Sequence, residues 1–345
     1  MRTLILGGTG WLGRLMARMA LAAGHDVTCV ARGDDLPTGA VHVRADRDTD
    51  DALAGVADSR WDVVIDVARQ PGHVRRAVRD LAPAAERFVF VSSTSAYVSH
   101  SDLGADEDAA LHPPLPADEM SSPDDYGAAK AAGERAVLDG FGAARALIVR
   151  PGLVGGPGDP SGRTGYWGSR LASPSNVERR VLVPDAPQLP TAVIDVRDLA
   201  GWLVHAAGEG RDGIFNAGGE PMLFPAHLEV ARRIAGHDGP LELVGEDWLI
   251  EHGVAQWSGP RSLPLWIADR SWYGMNARSS ARARAAGLAL RPLEETIADS
   301  LRWDLDHANG PGSGAGLTDD EERALLAAWR REARGAKGET TKPPG

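Results

Sequence analysis

The sequence predicts an α/β fold, a doubly wound parallel sheet with helices on both faces, plus a smaller C-terminal subdomain. Three observations carry this. Short apolar runs alternate with helix-compatible stretches through the first half of the chain. The runs are continuously apolar, as strands buried on both faces are. A glycine-rich turn joins the first run to the first helical stretch. Such alternation implies right-handed crossovers and a parallel sheet.

The elements follow in order. Apolar runs occupy 3–6, 26–30, 41–43, 63–67, 88–91 and 146–149, and helical stretches occupy 11–23, 50–57, 74–81 and 126–138. After Arg150 the pattern changes. Residues 151–180 are rich in Gly, Pro, Ser and Arg and read as loops with a short helix. Residues 193–194 read as a strand leading into a helix over 195–207, and 224–236 as a further helix. Trp248, Trp257, Trp266 and Trp272 fall close together and are expected mainly to pack a core.

Composition narrows the function. The chain has 345 residues, 43% hydrophobic and 25% charged, enough for one large α/β domain and a smaller partner. No apolar run is long enough to span a bilayer, so no membrane partner is expected. The chain lacks the leader pattern of a secreted protein, and its one cysteine, Cys29, lies in an apolar run, so a cytoplasmic location and a buried thiol are expected. The net charge of −11 argues against a nucleic-acid surface. Arg278, Arg282 and Arg284 form a local basic cluster that reads as a solvated helix face. No metal site is expected, and the chain is expected to be a monomer or homodimer acting on a small molecule.

Leu4-Ile5-Leu6 is followed by Gly7-Gly8-Thr9-Gly10-Trp11-Leu12-Gly13 and then a helix. One glycine lets the chain turn sharply out of the strand, a second admits a pyrophosphate against the backbone, and a third allows close helix–strand packing. The helix start then offers N–H groups and a positive dipole end. Gly7, Thr9, Gly10, Trp11, Leu12 and Gly13 are therefore candidate cofactor-binding residues. A domain that prefers NAD usually has an acid at the end of the second strand. Here that strand ends Val30-Ala31-Arg32, and an arginine suits the 2′-phosphate of NADP. NADP(H) is expected over NAD(H), with Asp34 or Asp35 on the ribose as the alternative.

Tyr126 and Lys130 are four residues apart and share a helix face. The ammonium would favour the phenolate and lower the tyrosine from its usual pKa of ~10. Such a phenol can give or take a proton at a carbonyl or alcohol oxygen, and Lys130 could also hold the nicotinamide ribose. The fifth apolar run opens into Ser92-Ser93-Thr94-Ser95-Ala96-Tyr97, beyond a strand's carboxyl end, where ligands of doubly wound sheets bind.

Glycine turn, serine run and tyrosine–lysine helix, in this order, resemble the short-chain dehydrogenase/reductase superfamily in its extended or atypical branch, the NAD-dependent epimerase/dehydratase-like family. The resemblance covers roughly 1–207. It implies a Rossmann domain over 1–155 with a returning segment at about 190–218, and a substrate-binding subdomain over 156–189 and 219–309. Beyond these, 310–316 read as a linker, 317–334 as a C-terminal helix opened by the capping box Thr318–Glu321, and 335–345 as a disordered tail. The resemblance puts the catalytic serine at Ser93, with Tyr126 as acid/base and Lys130 as its helper. It turns Asp46 to the adenine and brings Pro151 and Gly152 to the nicotinamide. Glu134, one turn beyond Lys130, is expected to support the helix.

There are departures. Leu6 stands where extended members often have threonine, Asp66-Val67-Ala68-Arg69 replaces a usual His-x-Ala-Ala, and Gly155 stands where tyrosine is common. They weaken transfer of a sugar-nucleotide activity. Arg163, Tyr166, Trp167 and Arg170 fall where the family's substrate lid begins and are candidates for an anionic or ring-bearing substrate, with scaffold or surface as the alternative reading of each. The leading expectation is an NADP(H)-dependent reductase or dehydrogenase acting on a carbonyl or secondary alcohol. The alternatives are an NAD-dependent nucleotide-sugar epimerase and a non-catalytic dinucleotide-binding sensor or RNA-associated protein.

Overall fold

Continuous apolar strands demand cover on both faces, and the computed structural model supplies it. It describes residues 1–307 and 314–339, with side chains to 332. In order come β1 (Arg2–Leu6), α1 (Trp11–Ala22), β2 (Asp26–Ala31), β3 (Val41–Arg44), α2 (Ala54–Ala57), β4 (Trp61–Asp66), α3 (Pro71–Leu81), β5 (Ala85–Val91), α4 (Tyr126–Phe141) and β6 (Ala146–Pro151). A helix at Val196–Gly208 and a strand at Gly213–Ala217 complete this part. The seven strands form one sheet in the order Gly213–Ala217, β6, β5, β4, β1, β2, β3. All six pairings are parallel. The order reverses between β1 and β4, the switch point beyond which such sheets bind ligands.

Side-chain alternation sorts the core into two layers. Ile5, Cys29, Ile65, Val89 and Leu147 point to one face, where Met16, Ala17 and Ala20 of α1 meet Leu199, Trp202 and Leu203. Leu4, Leu6, Val64, Phe88 and Phe90 point to the other, where Val74 and Leu81 of α3 meet Val137 and Phe141 of α4. Each fully buried aliphatic side chain contributes roughly 1.5–3 kcal/mol, so two-sided burial is the main support of the sheet. Cys29 is among these buried residues, and burial pushes its thiol up to about 12.

Several expected bounds shift. The helix expected over 50–57 is reduced to Ala54–Ala57. Upstream, Thr49 Oγ1 donates to Asp46 O and Asp48 N to Asp46 Oδ1, and these local bonds compete with helix. Helix α4 runs past its expected end to Phe141 and stops where Gly142 takes φ +71°.

By contact the chain divides into two compact units. The first comprises Met1–Val154, Ala192–Glu220 and Ser271–Leu290, and the second Gly155–Thr191, Pro221–Arg270 and Arg291–Gly345. Ser271–Leu290 was expected in the substrate subdomain. Instead, Ala286 O accepts from Trp202 Nε1 at 3.0 Å and Ser280 Oγ accepts from Gly218 N at 2.8 Å, which ties the segment to the sheet unit. Of the expected solvated basic face, Arg282 and Arg284 are exposed, with Arg282 pairing with Asp106, Glu107 and Asp108 and Arg284 with Glu220, whereas Arg278 is buried.

In the second unit, helices Tyr166–Ala172, Phe224–Ala235 and Leu293–Asp306 accompany a parallel pair of strands, Val181–Pro184 and Leu241–Val244. The tryptophans expected in the core divide: Trp266 is fully buried, while Trp272, in the first unit, is 44% exposed. The C-terminal helix spans Asp319–Glu339, five residues past its expected end, with Thr318 and Glu321 exchanging hydrogen bonds at its start. Its Ala-, Arg- and Glu-rich sequence favours helix. The expected tail beyond 339 lies outside the described residues, as do 310–313 of the expected linker.

Candidate functional site

Strand β1 ends at Leu6, in register with Val30 of β2 and Asp66 of β4. The chain leaves it through Gly7, whose φ of +97° only glycine adopts readily. A Cβ on Gly8 would lie 2.5 Å from Cys29 Sγ, and one on Gly13 would lie 2.2 Å from Gly7 O. Those glycines serve the turn's own packing. Gly10 is different. It caps α1 with φ −71°, no side chain caps the helix there, and a Cβ would meet only Gly7 O at 3.5 Å. The protein itself could accept a side chain at this position, so the glycine there matches the need to keep a cradle clear at a helix N-terminus. The turn thus fits a dinucleotide's diphosphate. Trp11 and Leu12 open α1, with Leu12 packed into the core, and Thr9 lies against Gly33.

At the carboxyl end of β2 three arginines meet three acids. Arg14 pairs with Asp35, Arg44 lies 3.6 Å from Asp34, and Arg32 lies 4.0 Å from Asp46. Arg32 has the loosest of these contacts and is 73% exposed along its side chain. Asp46 also accepts from Asp48 N at 3.1 Å, so its carboxylate partly shapes its own loop.

Helix α4 begins at Tyr126, after a 3₁₀ turn closed by a capping box between Ser122 and Asp125. Ser121 and Ser122 hydrogen-bond the Asp125 carboxyl and hold its pKa below the usual carboxylate range. A Cβ on Gly127 would sit 2.3 Å from Ser95 O and one on Gly133 2.6 Å from the Phe90 ring. These two glycines let α4 lie directly on the serine turn and on β5. Sequence reasoning passed over both, although Gly127 stands beside the tyrosine.

Lys130 is buried. Its Nζ donates to Ala68 O, just past β4, at 2.6 Å and to Val91 O, the last residue of β5, at 2.8 Å. Two of its three protons are committed. The Nζ lies 5.8 Å from the Tyr126 ring centroid. Desolvation lowers the ammonium's pKa, and the charges of Tyr126 and Asp66 oppose that shift. A Cβ on Gly7 would meet Val67. Glycine turn, Val67-Ala68 and Lys130 therefore adjoin at the ends of β1, β4 and β5. Arg69, unremarked in the sequence except as a departure, places its guanidinium 5.4 Å from the Tyr126 ring centroid.

Beyond β5, Ser93 caps a 3₁₀ turn over Thr94–Ala96, its Oγ accepting from Ser95 N at 3.1 Å, which leaves its own proton to donate. Ser92 points the other way, to Glu134 Oε1. Glu134 holds Arg150 through Nε at 2.9 Å and Nη2 at 2.7 Å. Arg150 Nη1 donates to the Tyr97 hydroxyl, which donates to Asn216 Oδ1 at 2.7 Å. Tyr97, Asn216 and Glu107, whose Oε1 accepts from Asn216 N, were missed, because nothing local in sequence joins them. Pro151 is buried at the end of β6, and Gly152 commits its amide to Ala217 O at 3.0 Å. A second deeply buried pair, Arg47 with Asp66, secures the end of β4.

The expected substrate residues do other work in the second unit. Arg170 is fully buried, donating to Asp319 Oδ1 and Leu317 O and lying 3.3 Å from Glu322. Trp167 donates to Pro264 O and stacks edge-on against Phe224. Tyr166 is buried against Trp167. These three form a core that anchors the C-terminal helix, which corrects their expected role at a ligand. Arg163 is half-buried over Trp257, with Nε donating to Ser161 Oγ. Among the described residues there is no cluster of metal-ligating side chains, and no helix is long and apolar enough to cross a membrane.

Comparison with known proteins finds resemblances over parts of the chain. The profile described as NAD dependent epimerase/dehydratase family matches residues 3–86, and that described as Male sterility protein matches 75–175. Among curated proteins, the chloroplast stem-loop binding protein of 41 kDa b of Arabidopsis thaliana is 25% identical over 129 residues, 32% of this chain. The match spans about a third of that relative's length, 34%. UDP-glucose 4-epimerase of Thermotoga maritima, solved with UDP-glucose, superposes with a TM-score of 0.65 at 17% identity, over 89% of this chain and 100% of that one. The Thermus thermophilus UDP-glucose 4-epimerase, solved with NAD, gives 0.63 at 19% identity, over 88% and 98%. At these identities the superpositions establish the shared fold.

Proposed function

We propose that this chain, which resembles the NAD dependent epimerase/dehydratase family over residues 3–86 and shares the fold of its structural neighbours, is an NAD(P)-dependent enzyme of the short-chain dehydrogenase/reductase type that oxidises a secondary alcohol, or reduces the matching carbonyl, on a small molecule. The observation that carries this reading is the seating of α4 on the serine turn at Gly127, with Lys130 fastened between the ends of β4 and β5. That seating brings Tyr126 and Ser93 to one carboxyl edge next to the glycine turn.

When bound, the dinucleotide supplies hydride exchange at its nicotinamide. The chain's own residues do the rest. Gly7, Thr9, Gly10, Trp11, Leu12 and Gly13 would receive the diphosphate at the start of α1. Tyr126 would take or return the proton at the substrate oxygen, and the free hydroxyl proton of Ser93 would orient that oxygen. Lys130 would hold the tyrosine's surroundings in place and offer its remaining donor to the ribose. Pro151 and Gly152 would border the nicotinamide. Arg32 would meet a 2′-phosphate, which favours NADP(H); the acids that could serve a bare ribose are already paired, Asp34 with Arg44 and Asp35 with Arg14.

A second reading is nucleotide-sugar epimerisation, in which the dinucleotide would supply both removal and return of the hydride, Tyr126 would take and give back the hydroxyl proton, and the site would let the oxidised sugar present its other face. It is supported by the UDP-glucose 4-epimerases among the structural neighbours, solved with UDP-glucose or NAD. One experiment separates the two. The protein is incubated with NADP or NAD and a panel of secondary alcohols, and separately with UDP-glucose. Net formation of reduced nicotinamide supports the dehydrogenase, and UDP-galactose without net reduction supports the epimerase. In either case Tyr126→Phe should lower turnover by ~10²–10⁴ and leave cofactor affinity unchanged. Unchanged turnover would remove Tyr126 from the chemistry.

A further inference from the structure

Three arginines of the first unit are buried at the carboxyl side of the sheet. Arg47 and Arg150 each grip a carboxylate with two hydrogen bonds. Arg278 does not. It is 6% exposed, its guanidinium carbon lies 3.7 Å from the Tyr97 ring centroid, and Nη2 donates to Ser99 O. Its Nε and Nη1 are buried and have no partner. A guanidinium keeps its charge in any environment, and burying it is costly unless that charge is paired; the charge of Asp102 acts on Arg278 but does not offset its burial, and Nε and Nη1 stay without a hydrogen-bond partner.

The same side chain lines a crevice with Thr94, Gly152, Asn216, Gly218 and Ser280, and no acidic residue is among its walls. Asn216 is committed to Tyr97 and Ser279, while Ser280 Oγ accepts from Gly218 N and keeps a proton to donate. The crevice therefore offers one cation and two hydroxyls, those of Thr94 and Ser280, beside the amide of Asn276, and no carboxylate lines it. Only about 10 Å³ of it is open to the centre of a water-sized sphere, so the crevice is narrow. A carboxylate, planar and singly charged, is a slimmer occupant than a tetrahedral phosphate ester. Thr94 immediately follows Ser93, so an anion here lies close to where the reacting oxygen is proposed to sit.

We propose that this crevice is a carboxylate subsite and that the substrate is a hydroxy or oxo acid whose carboxylate, a few bonds from the reacting carbon, completes Arg278. The proposal rests on the hydride-transfer reading above. It names the substrate class for that site.

The test is a binding assay and needs no turnover. The full chain, loaded with NADP, is titrated with 3-hydroxybutyrate and with 3-hydroxybutyramide while tryptophan fluorescence is followed; Trp272 stacks on His100, which feels the charge of Arg278. The acid should bind about tenfold or more tighter than the amide, the usual worth of a charge-assisted hydrogen bond. Arg278→Gln should bring the two within about threefold, and Arg278→Lys should keep the preference for the acid. Equal binding of acid and amide to the unaltered protein, which needs no variant to fold, overturns the proposal. So does a preference that survives Arg278→Gln, or tighter Arg278-dependent binding of inorganic phosphate. If acids are selected but no alcohol or carbonyl is turned over, the subsite stands and the hydride-transfer reading fails.

Discussion

Glu134 of α4 holds Arg150 of β6 through two hydrogen bonds, with both side chains 3% exposed. The pair locks the tyrosine helix to the strand beside the serine turn, and Ser92 and Tyr97 are attached to it. Burial alone would lower the pKa of Arg150. Glu134 more than offsets this and keeps the guanidinium firmly charged.

Glu134→Gln should destabilise the protein by about 3–5 kcal/mol, because it leaves Arg150 buried without a counter-charge. Urea unfolding reads the loss directly. Changing both partners to Met should cost less than the sum of the single changes. An unaltered urea midpoint in Glu134→Gln would show that the pair does not support the fold.

Gly10 and Gly13 should separate binding from folding. Gly10→Ala adds a Cβ that the protein has room for, so stability should fall by no more than ~1 kcal/mol, the loss of a good N-cap. Dinucleotide binding should weaken by about tenfold or more, because the added methyl fills the cradle. Gly13→Ala should instead damage the fold, since its Cβ would press on Gly7 O. Full cofactor affinity in Gly10→Ala, measured by fluorescence titration, would place the diphosphate elsewhere.

Arg32 should decide the cofactor. Arg32→Glu should weaken NADPH binding by roughly 10–100-fold, the range for a lost charge-assisted bond plus repulsion, and should leave NADH binding equal or improved. A preference for NADH in the unaltered protein sinks this assignment.

His227 should make the protein acid-sensitive. It is buried on the helix Phe224–Ala235, its Nε2 has no partner, and burial lowers its pKa to about 4. The unfolded chain, with histidine near its ordinary ~6.5, takes up the proton first. Stability is therefore whole above ~6.5 and is lost as pH falls from there through about 4, by roughly 3 kcal/mol for this residue. His100, also brought to about 4 by burial and the Arg278 charge, acts in the same direction. Urea midpoints at about pH 7 and about pH 4 should differ less in His227→Leu than in the unaltered chain. An equal difference would clear this histidine.

Much of this could be read from the sequence, because the signals are local. Two-sided burial shows as unbroken apolar runs, so the strands and their parallel pairing were legible. The glycine turn and the Tyr126–Lys130 spacing depend on neighbours within a few residues, and the helix and turn they imply form where expected. What the sequence could not show were partnerships made across the fold. Tyr97, Arg150 and Asn216 meet only because three parallel strand ends converge. Arg278 looked like part of an exposed basic face until Ser271–Leu290 joined the sheet unit and buried it. Tyr166, Trp167 and Arg170 looked like ligand contacts because their chemistry suits a ligand, yet packing against Pro264, Leu317 and Glu322 claimed them. Local sequence determines which backbone forms; the fate of a buried charge depends on what the completed fold sets opposite it.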